Sequence, residues 1–118
     1  MEYVSFITVE DGTDLIVSFA VLCEDVDDVK SLMLLRTPEF EFPLEDHERG
    51  VSVSYEDFPD GEGDLLEAIE FEGHEVRIVT RYHRYQLDVY RVDEEELAEA
   101  KQVLRKMNFD NRFRLTIV

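Results

Sequence analysis

Basic residues are scarce in this chain of 118 residues: twelve Lys and Arg stand against 29 Asp and Glu, for a formal charge of −17. A surface of that sign does not attract nucleic acid or anionic membrane as a whole. Cysteine occurs once, at Cys23, so no internal disulfide can form and nothing calls for an oxidising compartment. Long apolar runs are missing too. The longest, Leu15 to Cys23, is interrupted by Ser18 and falls far short of the ~20 residues that cross a bilayer. The N-terminus, Met1-Glu2-Tyr3-Val4, lacks a basic targeting region, and a soluble cytoplasmic protein is expected.

The motifs of common chemistries are absent as well. His47, His74 and His83 have no zinc-ligand spacing between them and no second cysteine to complete a set, so no metal or cofactor is expected. Cys23 ends an apolar strand and reads as a buried, inert thiol. No glycine-rich phosphate loop occurs, and the Gly61-x-Gly63 pair is flanked by acids that would repel phosphate. The loop from Glu56 to Glu67 aligns loosely with a calcium-binding loop, but Phe58 falls where a ligand oxygen is required. It reads as a solvated acidic loop. No motif is specific enough to name a family.

What is present suffices for one domain. The chain is 44% hydrophobic with eight Phe and five Tyr, enough for a single core of ~13–14 Å radius of gyration. Residues 3–9 and 14–22 read as a hairpin around Asp11-Gly12, and the second strand, apolar on both faces, belongs in the middle of a sheet. Residues 24–36 are ambiguous between helix and strand; a short turn followed by a strand at 31–36 is favoured, because the residue before Pro38 prefers extended geometry. Residues 38–50 form a loop with an edge segment at Phe40 and Phe42. Strands are expected at 51–56, 76–82, 84–92 and 112–118, with 64–72 open between helix and strand. Asp93 begins a helix over 93–107 as its N-cap, with Glu96 completing a capping box. The fold class is therefore α+β: six or seven mostly antiparallel strands in a curved sheet or partial barrel, with this helix on one face.

Charge is unevenly distributed. Residues 1–75 hold 22 acids and three bases, whereas residues 76–118 hold seven acids and nine bases. This asymmetry suggests a small protein-binding module that docks on a basic protein, of the inhibitor, immunity or adaptor kind, by charge complementarity. The candidate docking residues are Glu39, Glu41, Glu45, Asp46 and Glu48 in one loop, and Asp57, Asp60, Glu62 and Asp64 in the next. The alternative is a pocket between sheet and helix that holds an anionic ligand, or a motif-less enzyme, with Arg77, Arg81, Tyr82, Arg84 and Tyr85 as anion-binding residues. Nucleic acid is disfavoured by the overall charge. The same arginines are expected to pair with acids of neighbouring strands, with at least one of Arg81 and Arg84 reaching a carboxylate. The missing nucleophile, metal set and cofactor loop favour a binding module over an enzyme, and nothing in the sequence indicates an oligomeric state.

Overall fold

A computed structural model describes residues 2–23, 28–56 and 63–118. Eight strands form one mixed sheet: β1 (Glu2–Asp11), β2 (Leu15–Cys23), β3 (Asp28–Arg36), β4 (Ser52–Tyr55), β5 (Leu66–Glu72), β6 (Glu75–Thr80), β7 (Arg84–Asp88) and β8 (Arg114–Ile117), in the spatial order β4-β3-β2-β1-β7-β6-β5-β8. One helix, α1 (Glu94–Met107), packs on β1 and β2. The α+β class and the single C-terminal helix agree with expectation. The strand count is higher than expected, and two pairings, β1 with β7 and β5 with β8, are parallel. Each parallel pair joins strands distant in sequence, so local patterning carries no trace of it.

Both ambiguous segments are extended. Residues 28–36 pair along β2, with buried and half-buried positions alternating from Leu32 to Arg36, and residues 66–72 pair with β6. The strand expected at 84–92 ends at Asp88, and the edge segment expected at Phe40 and Phe42 is replaced by a short 3-10 turn, Pro38–Phe40. β2 is central, as its two apolar faces require: Val17, Phe19 and Val21 are buried on one face and Ala20 on the other. The expected state of the Cys23 thiol and the calcium-like stretch at 57–62 lie outside the described residues.

The sheet curls until its ends meet. The Val53 N–H donates to the Asp64 carbonyl at 3.0 Å and the Leu66 N–H to the Val51 carbonyl at 2.9 Å, so β4 pairs with the start of β5. Further along, the same edge of β5 is taken by β8, from Ala68 to Phe71. One strand thus serves two neighbours in succession and closes a partial barrel around the core.

Helix α1 buries Ala100, Val103, Leu104 and Met107. Its first turn carries Glu94, Glu95 and Glu96, which favour the positive end of the helix dipole. The capping box does not form. Asp93 makes no side-chain cap bond, and Glu96 reaches outward to accept the Ile7 N–H at 2.7 Å. The pairing of β1 shifts register between Val4 and Phe6, and β1 meets β7 only at Glu2 and Tyr3. The Ile7 N–H therefore needs an acceptor from elsewhere, and Glu96 supplies it.

Three substitutions separate these roles. Leu104→Ala is expected to cost about 2–5 kcal/mol, as a fully buried leucine. Glu96→Ala costs about 1–3 kcal/mol by stranding the Ile7 N–H. Asp93→Ala costs less, about 0.3–1 kcal/mol from the dipole alone. Urea denaturation measures all three, and an Asp93 effect larger than that of Glu96 would restore the capping box.

Candidate functional site

The site grows from an arginine in the wrong place for its chemistry. On β3 the inward positions are Leu32, Leu34 and Arg36, and Arg36 is 1% exposed. A buried guanidinium needs all five N–H groups satisfied. Nε and Nη2 meet the Glu41 carboxylate (3.0 and 2.9 Å), Nη1 donates to the Met107 carbonyl (2.7 Å) and Asp110 Oδ1 (2.8 Å), and Nη2 also donates to Asp110 Oδ2 (2.9 Å). The Phe109 ring lies over the guanidinium at 4.2 Å, a cation–π contact. Burial works against the charge on Arg36, but the bonds from Asp110 and Glu41 outweigh it and raise its pKa. The Arg36 hydrogen bond, aided by Arg112, holds the Asp110 carboxyl well below the usual carboxylate range.

This knot anchors the loop at 37–50. Glu41, in the middle of the loop, is fixed by Arg36, and its carboxylate also accepts the Gly50 N–H. Arg49 donates to the carbonyls of Leu44 and Phe42 (both 3.2 Å), bracing the loop from within. Arg112 donates to the Asp46 carbonyl and carboxylate, both at 2.6 Å, and to Asp110 at 2.7 Å. At the loop entrance the Thr37 hydroxyl donates to Asp14 at 2.6 Å. A loop stitched at this many points presents its outward side chains in a set arrangement. Those side chains include Phe40, 63% exposed, Phe42, 81% exposed, and Leu44. Around them Glu39 and Glu45 have no ion-pair partner among the described residues, and Glu48 has only the exposed His47 at 3.9 Å.

Of the nine acids expected at a docking face, the structure leaves Glu39, Glu45 and Glu48 open to solvent. Asp46 is exposed but bridged by Arg112, whose hydrogen bond lowers its pKa. Glu41 and Asp64 do not belong to a surface. Glu41 is 8% exposed against Arg36, and Asp64 is 1% exposed. Asp64 accepts from the Thr80 hydroxyl (2.8 Å), the Tyr82 N–H (3.1 Å) and His83 Nδ1 (3.1 Å), and so organises the turn between β6 and β7. Both acids are buried because a cation or a convergent set of donors meets them, which acidity in the sequence does not reveal. Asp57, Asp60 and Glu62 lie outside the described residues.

Of the arginine and tyrosine set, Arg77, Arg84 and Tyr85 line one cleft of about 570 Å³ together with Tyr55 and His83, and Arg81 and Tyr82 are not among its lining residues. Arg77 is neutralised by Glu70, its register partner across β5, together with Glu72 (2.8 Å) and Glu75 (3.6 Å), as cross-strand pairing predicts. Arg81 donates to the carbonyls of Gly63 and His47, each at 3.3 Å. Among the described residues no carboxylate lies within ion-pair distance of Arg81 or Arg84, so the expectation that one would reach an acid fails. The strands flanking their turn place the acids of β5 along Arg77 instead. Tyr82 is exposed on the same turn. Arg84 and Tyr85, consecutive on β7, point to opposite faces. Tyr85 turns toward Tyr55, ring centroids 5.7 Å apart, and its phenol is pushed up to about 12 by burial and by the nearby Asp64 and Glu2 carboxylates.

Phe40 and Phe42, expected as an edge segment of the loop, are not among the docking residues that the sequence suggests. Their alternation with glutamate in Glu39-Phe40-Glu41-Phe42 was the available signal, since apolar residues in a polar loop must either fold inward or serve a surface. Nothing in the sequence marked Arg36 as buried. Among the described residues, no group of three or more His, Cys, Asp or Glu is placed to hold a metal ion.

The knot makes two neighbouring glutamates unequal. Glu41→Gln removes one of the two carboxylates on Arg36 and leaves it Asp110, so it is expected to lower stability by about 1.5–3 kcal/mol, whereas exposed Glu39→Gln should change it by less than about 0.5 kcal/mol. Because the Asp110 pKa is lowered on folding, its contribution is fully present above the ordinary carboxylate pKa and is lost only as pH falls through the lowered value. Paired chemical denaturation curves at pH 7 measure the two variants; equal midpoints would show that Arg36 does not organise this loop.

No protein-family model matches this chain, and neither the curated proteins nor the solved structures contain a match to it.

Proposed function

We propose that the chain is a protein-binding module that docks on a basic partner through the loop at 38–50. The observation that carries this reading is the exposure of Phe40, Phe42 and Leu44 on a loop braced against the buried Arg36 knot. Apolar side chains exposed together and rimmed by polar groups mark interaction sites, and aromatic residues supply much of the binding energy at them. Bracing matters because a loop already ordered loses little entropy when it docks. Glu39, Glu45 and Glu48 supply the polar rim and select a basic surface opposite.

Charge alone does not define this face. Acids also crowd the β1–β2 turn (Glu10, Asp11, Asp14) and the first turn of α1 (Glu94, Glu95, Glu96), so a negative field surrounds much of the molecule. The field steers a basic partner toward the protein, and the aromatic residues of the loop decide where it stays. In this reading acids and aromatics have separable kinetic roles.

A partner captured from the native host is expected to lose at least tenfold in affinity with Phe40→Ala/Phe42→Ala, mainly through faster release. Glu39→Gln/Glu45→Gln/Glu48→Gln should mainly slow association, and the deficit should shrink as salt is raised. Surface plasmon resonance at two salt concentrations separates the two rates. Lysozyme and cytochrome c serve as unrelated basic controls. If they bind as tightly as the candidate, or if the double phenylalanine variant keeps full affinity, the loop is not a docking site.

A further inference from the structure

A second feature lies away from the loop, between α1 and the turn that joins β5 to β6. It is an open groove of about 530 Å³, within the ~300–1,000 Å³ range of small-molecule sites. One wall is a single face of α1, carrying Leu97, Lys101 and Arg105 at helical spacing. The other is the Gly73-His74 turn, together with Tyr90. The turn is fixed: Gly73 takes a φ of +58°, a conformation that favours glycine, and the Val89 N–H donates to the His74 carbonyl at 2.8 Å. Val89 and Val92, both buried, supply an apolar floor.

The charge of this groove runs against that of the protein. Lys101, Arg105 and His74 line it, and Glu94 is the one acid among its lining residues. Four other cations are neutralised by carboxylates: Arg36 by Glu41 and Asp110, Arg77 by three glutamates, Arg112 by Asp46 and Asp110, and Lys106 by Asp11. In the groove, no described carboxylate lies within ion-pair distance of Lys101, Arg105 or His74. The Lys101 ammonium instead sits 5.3 Å from the centre of the buried Phe71 ring. Arg105 is favoured where it stands by the C-terminal end of the helix dipole, but Lys101 lies near the helix middle, where the dipole offers little. Arg81 and Arg84 also lack a carboxylate partner among the described residues, but only in the groove do two such cations stand one helical turn apart on one wall above an apolar floor.

We infer that this groove binds a small amphipathic anion, a carboxylate or phosphate carried on an apolar body. The acidic group would lie between Lys101 and Arg105, and the apolar part would lie along Leu97, Val92 and the Tyr90 ring. Two cations one helical turn apart suit an anionic head, and the floor rewards burial of an alkyl or aromatic tail. This anion pocket between sheet and helix is built from residues other than Arg77, Arg81 and Arg84, and it does not depend on the docking loop.

Titration of the folded protein with decanoate, decyl phosphate, decanol and inorganic phosphate, followed by amide chemical shifts, tests the inference. Saturable shifts from decanoate or decyl phosphate are expected at Gly73, His74, Leu97 and Lys101, with decanol and inorganic phosphate each at least tenfold weaker. The tighter of the two amphiphiles identifies the head group. Lys101→Gln/Arg105→Gln should weaken binding at least tenfold, whereas Lys106→Gln, whose ammonium pairs with Asp11 outside the groove, should leave it unchanged. Decanol binding as tightly as decanoate would overturn the inference, as would an unaffected double variant or the absence of saturable shifts at millimolar ligand. The wild-type comparison of decanoate with decanol decides the matter even if the double variant fails to fold.

Discussion

A guanidinium removed from water without partners is too costly to exist in a folded protein, and Arg36 is buried on the inner face of β3. Five N–H groups must be met there, and the groups that meet them come from the 37–50 loop, the last turn of α1 and the turn before β8. Three regions far apart in sequence are thereby brought to one point. The Met107 carbonyl, at the end of the helix where backbone acceptors lack partners, gains a charged donor. Asp110 then passes the constraint on to Arg112, and Arg112 to Asp46. The order of the loop at 38–50 follows from this chain of bonds.

A second constraint acts on the sheet. β1 leaves β7 after two paired residues, so part of its edge has no strand beside it, and α1 covers β1 there through Glu96 and the apolar stripe ending at Met107. On the far side, β5 offers one edge to β4 and then to β8. Backbone groups must be paired wherever they are buried, so a sheet that opens in one place has to be covered there and joined elsewhere. The two parallel pairings are the result.

The acids divide into three populations by what faces them. Some are buried against cations or donors, as Glu41 and Asp64 are. Others lie in cross-strand pairs, as Glu70 and Glu72 do around Arg77. A third population among the described residues, Glu39, Glu45 and Glu48 among them, is exposed and contributes to the long-range field of the molecule. Only the third population can steer a partner, so the formal charge overstates what is available for docking. The groove beside α1 is the converse case, with cations kept apart from that excess of acid.

By itself the sequence determined what depends on neighbours along the chain. The 3.6-residue stripe of α1, the period-2 alternation of β4 and β6, the doubly apolar β2 and the Asp11-Gly12 turn all follow from local pattern and turn chemistry. The tertiary structure alone decided what depends on partners far away. The open segment at 66–72 became a strand, and β3 began at Asp28 ahead of the strand expected at 31–36, because β6 and β2 lay beside them. Glu96 turned from a cap to the Ile7 N–H because β1 left that group unpaired. Glu41 and Asp64 went inside while Glu39 stayed out, because Arg36 and the β6–β7 turn reached two of these acids and not the third. A carboxylate carries the same charge in every sequence position, and its role is set by the groups that fold against it.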